Sequence, residues 1–515
     1  MSTLQLTGSD LTFEGLYDVV YREREASLAG AARERVLASR AVVERALTSG
    51  AAAYGINTGF GHLASVRIPG DQVRQLQVNL VRSHACGVGA PLRETETRAM
   101  MLLRANALAK GLSGVRPVVI ETLCAMLARG VHPVIPSQGS VGASGDLAPL
   151  AHLAIVAIGE GEALYRGERM AGGEAMRRAA ITPLALEAKE GLALLNGTQA
   201  MLALGSLALE DARTLADTAD VTAALSLDAL RGSPAAFDAR IQQARPFAGQ
   251  ARVAERLRRI NEGSEIRESH RSAEKDPRVQ DAYSLRCTPQ VHGAAHDVLA
   301  QVAATLAVEL NSATDNPLVF PAGGGTEEAV ISGGNFHGQP VAMAADQMAL
   351  ALATIAGISE RRIEQMTNPH SSLLPAFLVS SPGLNSGFMM LQVTAAALTS
   401  EMRVMAAPHS VDSIPTSANQ EDYVSMGMGA ARRLGPMVEN LRNVLAIELL
   451  CACQGIDLIA PLKTGAIARR VHELVRSVSS KLEEDRSLAA DIGRVAQLIA
   501  DGKIADAVPQ AKLTR

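Results

Sequence analysis

Long runs rich in alanine and leucine, broken at intervals by glycine and proline, constrain this chain more than any other feature. Alanine and leucine lose little on entering a helix, whereas glycine and proline end one. Such runs fall at residues 95–112, 118–127, 147–158, 192–207, 341–365, 386–405 and 427–453, and the pattern predicts helices there. Further helices are expected at 11–25, with Asp10 as N-cap, and at 34–47, 71–83, 292–311 and 465–488. Leu318-Val319-Phe320 and Ala329-Val330-Ile331 flank Gly323-Gly324-Gly325 and read as a hairpin. The fold class expected is mainly α.

A chain of 515 residues exceeds what one simple core supports, so more than one subdomain or a large helical assembly is expected. Hydrophobic content of 47% with 20% charged residues is that of an ordinary globular protein. A formal net charge of -4, no tryptophan and 3% aromatic residues argue against a nucleic-acid surface. The five cysteines are odd in number and scattered, which points to a reducing cytoplasm rather than a disulfide framework. Cys451 and Cys453 sit in an apolar run with no second pair nearby, so no metal site is expected from them. The N-terminus shows no basic segment followed by an apolar core, and no signal peptide is expected. The apolar run at 341–358 is interrupted by Asp346 and Gln347, which favours a buried helix over a membrane span.

Chemistry concentrates on the glycine-broken segments. Gln138-Gly139-Ser140-Val141-Gly142-Ala143-Ser144-Gly145-Asp146 packs three glycines, two serines and an acid between two apolar segments. As a tripeptide, Ala143-Ser144-Gly145 is most simply a turn. Held tightly, however, it brings the Gly145 amide nitrogen against the Ala143 carbonyl carbon. Attack with loss of water closes a five-membered ring, and loss of the Ser144 hydroxyl adds an exocyclic methylene, an electrophile made from backbone. Tyr54 stands among glycines, and His84 precedes a glycine stop where a helix C-terminus favours its cation. Asn196 and Gln199 are amides inside an apolar helical pattern, where unpartnered burial costs roughly 1–3 kcal/mol each. Tyr283 and Arg286 are three apart, so one helical turn places them on one face, and arginine is shaped to grip a carboxylate. Phe336 reads as a core aromatic, and residues 411–423 set Asp412, Glu421 and Asp422 among amides and hydroxyls.

Several classes fail on spacing. His472-Glu473 lacks the second histidine of a zinc-protease helix, Gly323-Gly324-Gly325 lacks the lysine of a phosphate loop, and Asp146 stands where a serine-hydrolase elbow needs a different pattern.

Five blocks in order, residues 54–61, 142–149, 195–199, 280–290 and 413–421, resemble the aromatic amino acid ammonia-lyases, from Tyr54 through the C-terminal helices. The resemblance implies an elongated helical bundle of the fumarase/aspartase-like superfamily. It also implies a smaller N-terminal domain at 1–200 that carries the prosthetic group, and a central and C-terminal bundle at 201–515. It implies that Ala143, Ser144 and Gly145 cyclise into 4-methylidene-imidazol-5-one, that the enzyme is a homotetramer with shared active sites, and that Tyr54, Ser144 and Tyr283 are catalytic. Tyr54 would be the base that takes the substrate's β proton. Arg286 would clamp the carboxylate, while Asn196, Gln280, Tyr283 and Phe336 would line the amine side. His84 and Glu421 would meet the two ring nitrogens of a histidine substrate, with Met389 packing on the ring. The activity implied is deamination of histidine to urocanate. The alternatives are a lyase or 2,3-aminomutase acting on tyrosine, phenylalanine or a modified histidine, and a non-catalytic helical scaffold. Tyr423, where histidine enzymes commonly carry histidine, and Met402-Arg403, in place of Asn-Lys, depart from the family pattern on the ring side.

Overall fold

The computed structural model describes residues 2–49, 55–59, 66–272, 274–276, 278–323 and 325–508; Tyr54 lies outside the described residues. The chain is mainly α, as its alanine- and leucine-rich runs require. It divides into two compact units, one of Met1–Leu207, Ala303–Asp346 and Pro408–Arg433, the other of Ala208–Val302, Gln347–Ala407 and Leu434–Arg515.

In the first unit the helices Gly30–Ser49, Val73–His84, Glu94–Ala109, Pro117–Ala128 and Leu147–Ala157 are tied together by short sheets. Every residue from Thr97 to Ala109 is buried, so this helix is enclosed rather than amphipathic. The first helix, Phe13–Tyr21, begins later than expected because Thr12, not Asp10, caps it: the Thr12 hydroxyl accepts from the Gly15 amide at 3.1 Å. Asp10 instead accepts from the Thr7 hydroxyl. The hairpin forms in the register Leu318↔Ile331, Val319↔Val330, Phe320↔Ala329. Other strands of three or four residues pair Val88–Pro91 with Pro136–Gln138 and Val131–Pro133 with Glu162–Tyr165. They are too short to announce themselves by alternation.

Among the described residues one helix, Gln339–Thr367, is long and apolar enough to cross a membrane by length and composition. Its Asp346 is buried, accepts from the Ser410 amide at 2.8 Å and pairs with the Arg433 guanidinium, so the charge inside the apolar run is met within the protein.

In the second unit Leu434–Leu458 packs against Met389–Met405 and Ala489–Ala500. At its centre the fully buried Glu448 pairs with the fully buried Arg362 and accepts from Ser226 at 2.7 Å. The predicted helix at 465–488 stops at Arg476. Beyond it, Gln454 donates to the Leu482 carbonyl at 2.9 Å and accepts from the Leu482 amide at 3.0 Å, replacing intrahelical bonds with tertiary ones. Cys451 and Cys453 are buried in this unit, and burial pushes the Cys453 thiol up to about 12.

Candidate active site

The loop before the Leu147–Ala157 helix is folded back on itself. Gly142, Ser144 and Gly145 all take left-handed backbone angles, with φ of +72°, +52° and +72°. Serine is uncommon there, and glycine is the residue that adopts it without penalty. Gly145 leaves no room for a side chain: a Cβ would lie 2.2 Å from the Gly197 carbonyl oxygen. The two glycines form a parallel bridge, and the Asp146 amide donates to the Gly197 carbonyl at 2.7 Å.

Asp146 ties this loop to the start of the Gln199–Ala229 helix. Its carboxylate accepts from the Ser140 hydroxyl at 2.9 Å and from the Met201 amide at 2.8 Å. Burial pushes the carboxyl up to about 6, against those bonds, which act to lower it. From the opposite side the Gly142 carbonyl accepts from the Ser425 hydroxyl at 2.9 Å and the Gly338 amide at 3.1 Å, and the Val141 carbonyl from the Met426 amide at 2.8 Å. These bonds bring the segments that carry Phe336 and Glu421 to the loop. Phe336 is half-buried in the turn two residues before Gly338.

Ser144 donates through Oγ to Glu421 Oε1 at 3.0 Å. The other oxygen of Glu421 accepts from the Thr416 hydroxyl at 2.8 Å, and Thr416 and Glu421 face each other across an antiparallel bridge. One side chain thus reads the serine hydroxyl while its own rotamer is fixed by a neighbour.

Asn196 ends the short helix Glu190–Leu195, and the next helix starts at Gln199, so the amide-rich notch is a true break. The Asn196 amide nitrogen donates to the Asn316 carbonyl at 3.3 Å, while its buried Oδ1 has no partner among the described residues. An orphaned buried acceptor beside the 142–145 loop fits a site that takes an amine or a ring. His84 closes the Val73–His84 helix, with Nδ1 2.9 Å from the Leu80 carbonyl. The chain then runs into Val88–Pro91, whose pairing with Pro136–Gln138 ends at the loop; a Cβ on Gly139 would lie 3.2 Å from Gly87 Cα.

The remaining candidates belong to the second unit. Tyr283–Arg286 is one helical turn, and the Arg286 guanidinium sits 4.5 Å over the Tyr283 ring. Tyr283 is 70% exposed, and Arg286 Nε is buried with no partner among the described residues. Gln280 is exposed in the preceding bend, and Met389 opens the Met389–Met405 helix. Met402 is buried in that helix, with Arg403 exposed.

Asp217, Asp220 and His296 offer ligand atoms that a metal ion would accept. Arg256 pairs with both carboxylates, at 2.9 Å to Asp220, and already supplies the positive charge. Burial pushes the Asp220 carboxyl up, but the facing His296 and His292 outweigh it and hold it well below the usual carboxylate range.

Residues 11–477 match the family model described as aromatic amino acid lyase. The chain is 57% identical over 516 residues to a histidine ammonia-lyase of Koribacter versatilis, covering 98% of this chain and 99% of the relative. The crystal structure of histidine ammonia-lyase from Trypanosoma cruzi superposes with a TM-score of 0.90 at 45% identity, covering 98% of this chain and 95% of that one. A tyrosine aminomutase from Streptomyces globisporus gives a TM-score of 0.92 at 37% identity, covering 98% of both chains.

The chain belongs to the aromatic amino acid lyase family.

Seen as an aromatic amino acid lyase, it has further residues around the loop that sequence reasoning did not single out. Arg104, fully buried on Glu94–Ala109, donates through Nη1 to the Asn196 carbonyl at 2.8 Å and to Gln199 Oε1 at 2.7 Å. Its signal in the sequence was a lone cation in the run Met100 to Ala109, which is otherwise polar only at Asn106. Thr416 and Ser425 gave none, because hydroxyls that fix another residue look like any surface serine or threonine.

Proposed function

We propose that this aromatic amino acid lyase eliminates ammonia from L-histidine, giving trans-urocanate, with an electrophile made from Ala143-Ser144-Gly145. The observation that carries the reading to the level of side chains is Glu421: a carboxylate bonded to the Ser144 hydroxyl and held by Thr416. Near-full-length similarity to proteins named histidine ammonia-lyase supports it.

The loop fits a 4-methylidene-imidazol-5-one. Its left-handed Ser144 and Gly145 compact the three residues, Gly197 presses on Gly145, and the orphaned Asn196 Oδ1 waits beside them. Such a group supplies an electrophilic carbon that makes an amine a better leaving group.

The rest of the chemistry falls to side chains of this chain. Arg286 holds the substrate carboxylate through parallel hydrogen bonds. Asn196 Oδ1 accepts from the amine, with Gln280, Tyr283 and Phe336 around it. Glu421 accepts from one imidazole nitrogen and His84 meets the other, and Met389 packs on the ring. Phenylalanine offers neither nitrogen and leaves both polar groups buried and unpaired, at a cost of roughly a few kcal/mol. Tyr54 takes the β proton; a phenol of ordinary pKa ~10 does this only where its phenolate is favoured.

We also propose a cytoplasmic homotetramer with shared active sites. Exposed Leu350, Met390, Val393 and Val404 on two helices of the second unit supply apolar surface for such contacts. Incubation with L-histidine should raise urocanate absorbance, while phenylalanine and tyrosine yield little cinnamate or coumarate. Absence of urocanate, or β-amino products in its place, would overturn the reading.

A further inference from the structure

Ring closure requires the Gly145 nitrogen to stay pressed toward the Ala143 carbonyl carbon. The surface it is pressed from is the Asn196-Gly197 break. A Cβ on Gly145 would meet the Gly197 carbonyl oxygen at 2.2 Å and its nitrogen at 2.5 Å, so any slackening of that break opens the loop. A Cβ on Gly197 would in turn lie 2.3 Å from Arg104 Nη1 and 2.2 Å from Gln199 Oε1. Gly197 thus lies between Gly145 and Arg104, and neither glycine has room for a side chain.

Arg104 is the charged donor on this break. It comes from a separate helix and reaches the Asn196 carbonyl and Gln199, whose amide then donates to the Thr314 hydroxyl at 2.8 Å. Its Nε and Nη2 have no partner among the described residues. Burial lowers its guanidinium to about 10, and Asp315 acts to raise it. Asp315 is bonded to the buried Lys189 at 2.6 Å, so that carboxylate is already paired with another buried cation. Keeping a guanidinium in such a place is costly, and a neutral side chain would pack there with less penalty. What the arginine supplies in return is a charged donor, Nη1, that ties the carbonyl next to Gly197 to the Gln199 side chain.

We infer that Arg104 is a positioning residue for self-cyclisation of the Ala143-Ser144-Gly145 loop. This rests on the reading that the loop cyclises. In that step a bond forms from the Gly145 nitrogen to the Ala143 carbonyl carbon. The Ala143 oxygen leaves as water with the Gly145 and Ser144 amide protons. A second water takes the Ser144 hydroxyl and its α proton. No oxidant is needed. Arg104 touches none of these atoms; it holds the backbone against which Gly145 is compressed.

The test uses the full chain with Arg104→Met, Arg104→Lys and Arg98→Met. Arg98 is a second buried arginine on the same helix, bonded to the Val19 carbonyl at 2.5 Å and away from the break. Folded protein is isolated by size exclusion, and the fraction of chains lacking two waters is read by intact mass. Wild type and Arg98→Met should be almost wholly cyclised, Arg104→Met less than half, and Arg104→Lys in between. Equal cyclisation in folded Arg104→Met and Arg98→Met would overturn the inference, whatever their melting temperatures. Should Arg104→Met give no folded protein, Arg104→Lys decides it: complete cyclisation there overturns it. Wild type at its encoded mass would instead fail the functional reading itself.

Discussion

Ser144 and Glu421, 277 positions apart in sequence, are joined by one hydrogen bond of 3.0 Å from Oγ to Oε1. The serine sits in a strained turn and the glutamate on a loop whose Ser417, Ala418 and Asn419 are all left-handed. Two unfavourable backbones are thus fixed against each other, as functional sites tend to require.

The glutamate sets ring specificity. Glu421→Gln keeps the shape and the Thr416 contact but loses the charge that favours an imidazole N–H. We expect kcat/KM for histidine to fall about a hundredfold, on the order of 3 kcal/mol for a charge-assisted hydrogen bond. Steady-state kinetics checks it; a change below threefold would remove Glu421 from the ring.

Two glycines with similar angles should behave differently. Gly145 and Gly130 have φ of +72° and +69°, but only Gly145 faces a neighbour, whereas nothing lies within 4 Å of a Cβ on Gly130. Gly130→Ala should cost about 1–2 kcal/mol of stability and leave activity intact. Gly145→Ala should abolish turnover and ring formation in protein that still folds, judged by circular dichroism and intact mass.

The buried pair Arg362–Glu448 in the second unit should show a strong asymmetry. Arg362→Met alone leaves Glu448 charged and uncompensated, at a cost of about 3–5 kcal/mol. Arg362→Met with Glu448→Leu removes both charges and should recover much of that loss. Urea unfolding of the single and double variants measures it.

Asp228 should make stability fall with rising pH. Burial pushes its carboxyl up to about 6, although Thr464 and Ser264 bond to it and act to lower it. An acid with a higher pKa folded than unfolded stabilises the fold in its protonated form. That contribution is full below the unfolded value of 3.8 and is lost as pH rises through about 6. The stability of wild type minus that of Asp228→Asn should therefore decline across this window, by up to ~3 kcal/mol, and level off above it. A flat difference would contradict the assignment.

The helices were legible because alanine, leucine and glycine act locally. The hairpin was legible because β-branched and aromatic residues flank a glycine run at 323–325. The stop after Arg476 was not, because it depends on Gln454, 28 positions before Leu482. The same division holds at the site. The notch at Asn196 stood out as amides in an apolar run, but Arg104 beneath it is 92 positions away and only the fold brings them together. Tyr423 departs from the family pattern in sequence, yet its ring is 59% exposed and stacked 6.2 Å from His337. Whether a residue faces a site or solvent is a property of packing, which one-dimensional spacing does not carry.

The central claim is that this chain builds its own electrophile, and peptide mass tests it most directly. Proteolysis of native wild type and of Ser144→Ala releases the peptide containing residues 143–145, whose mass is compared with that encoded. The wild-type peptide should be lighter by two waters, and the Ser144→Ala peptide should not. A wild-type peptide at its full encoded mass, from protein that deaminates histidine, would contradict the account.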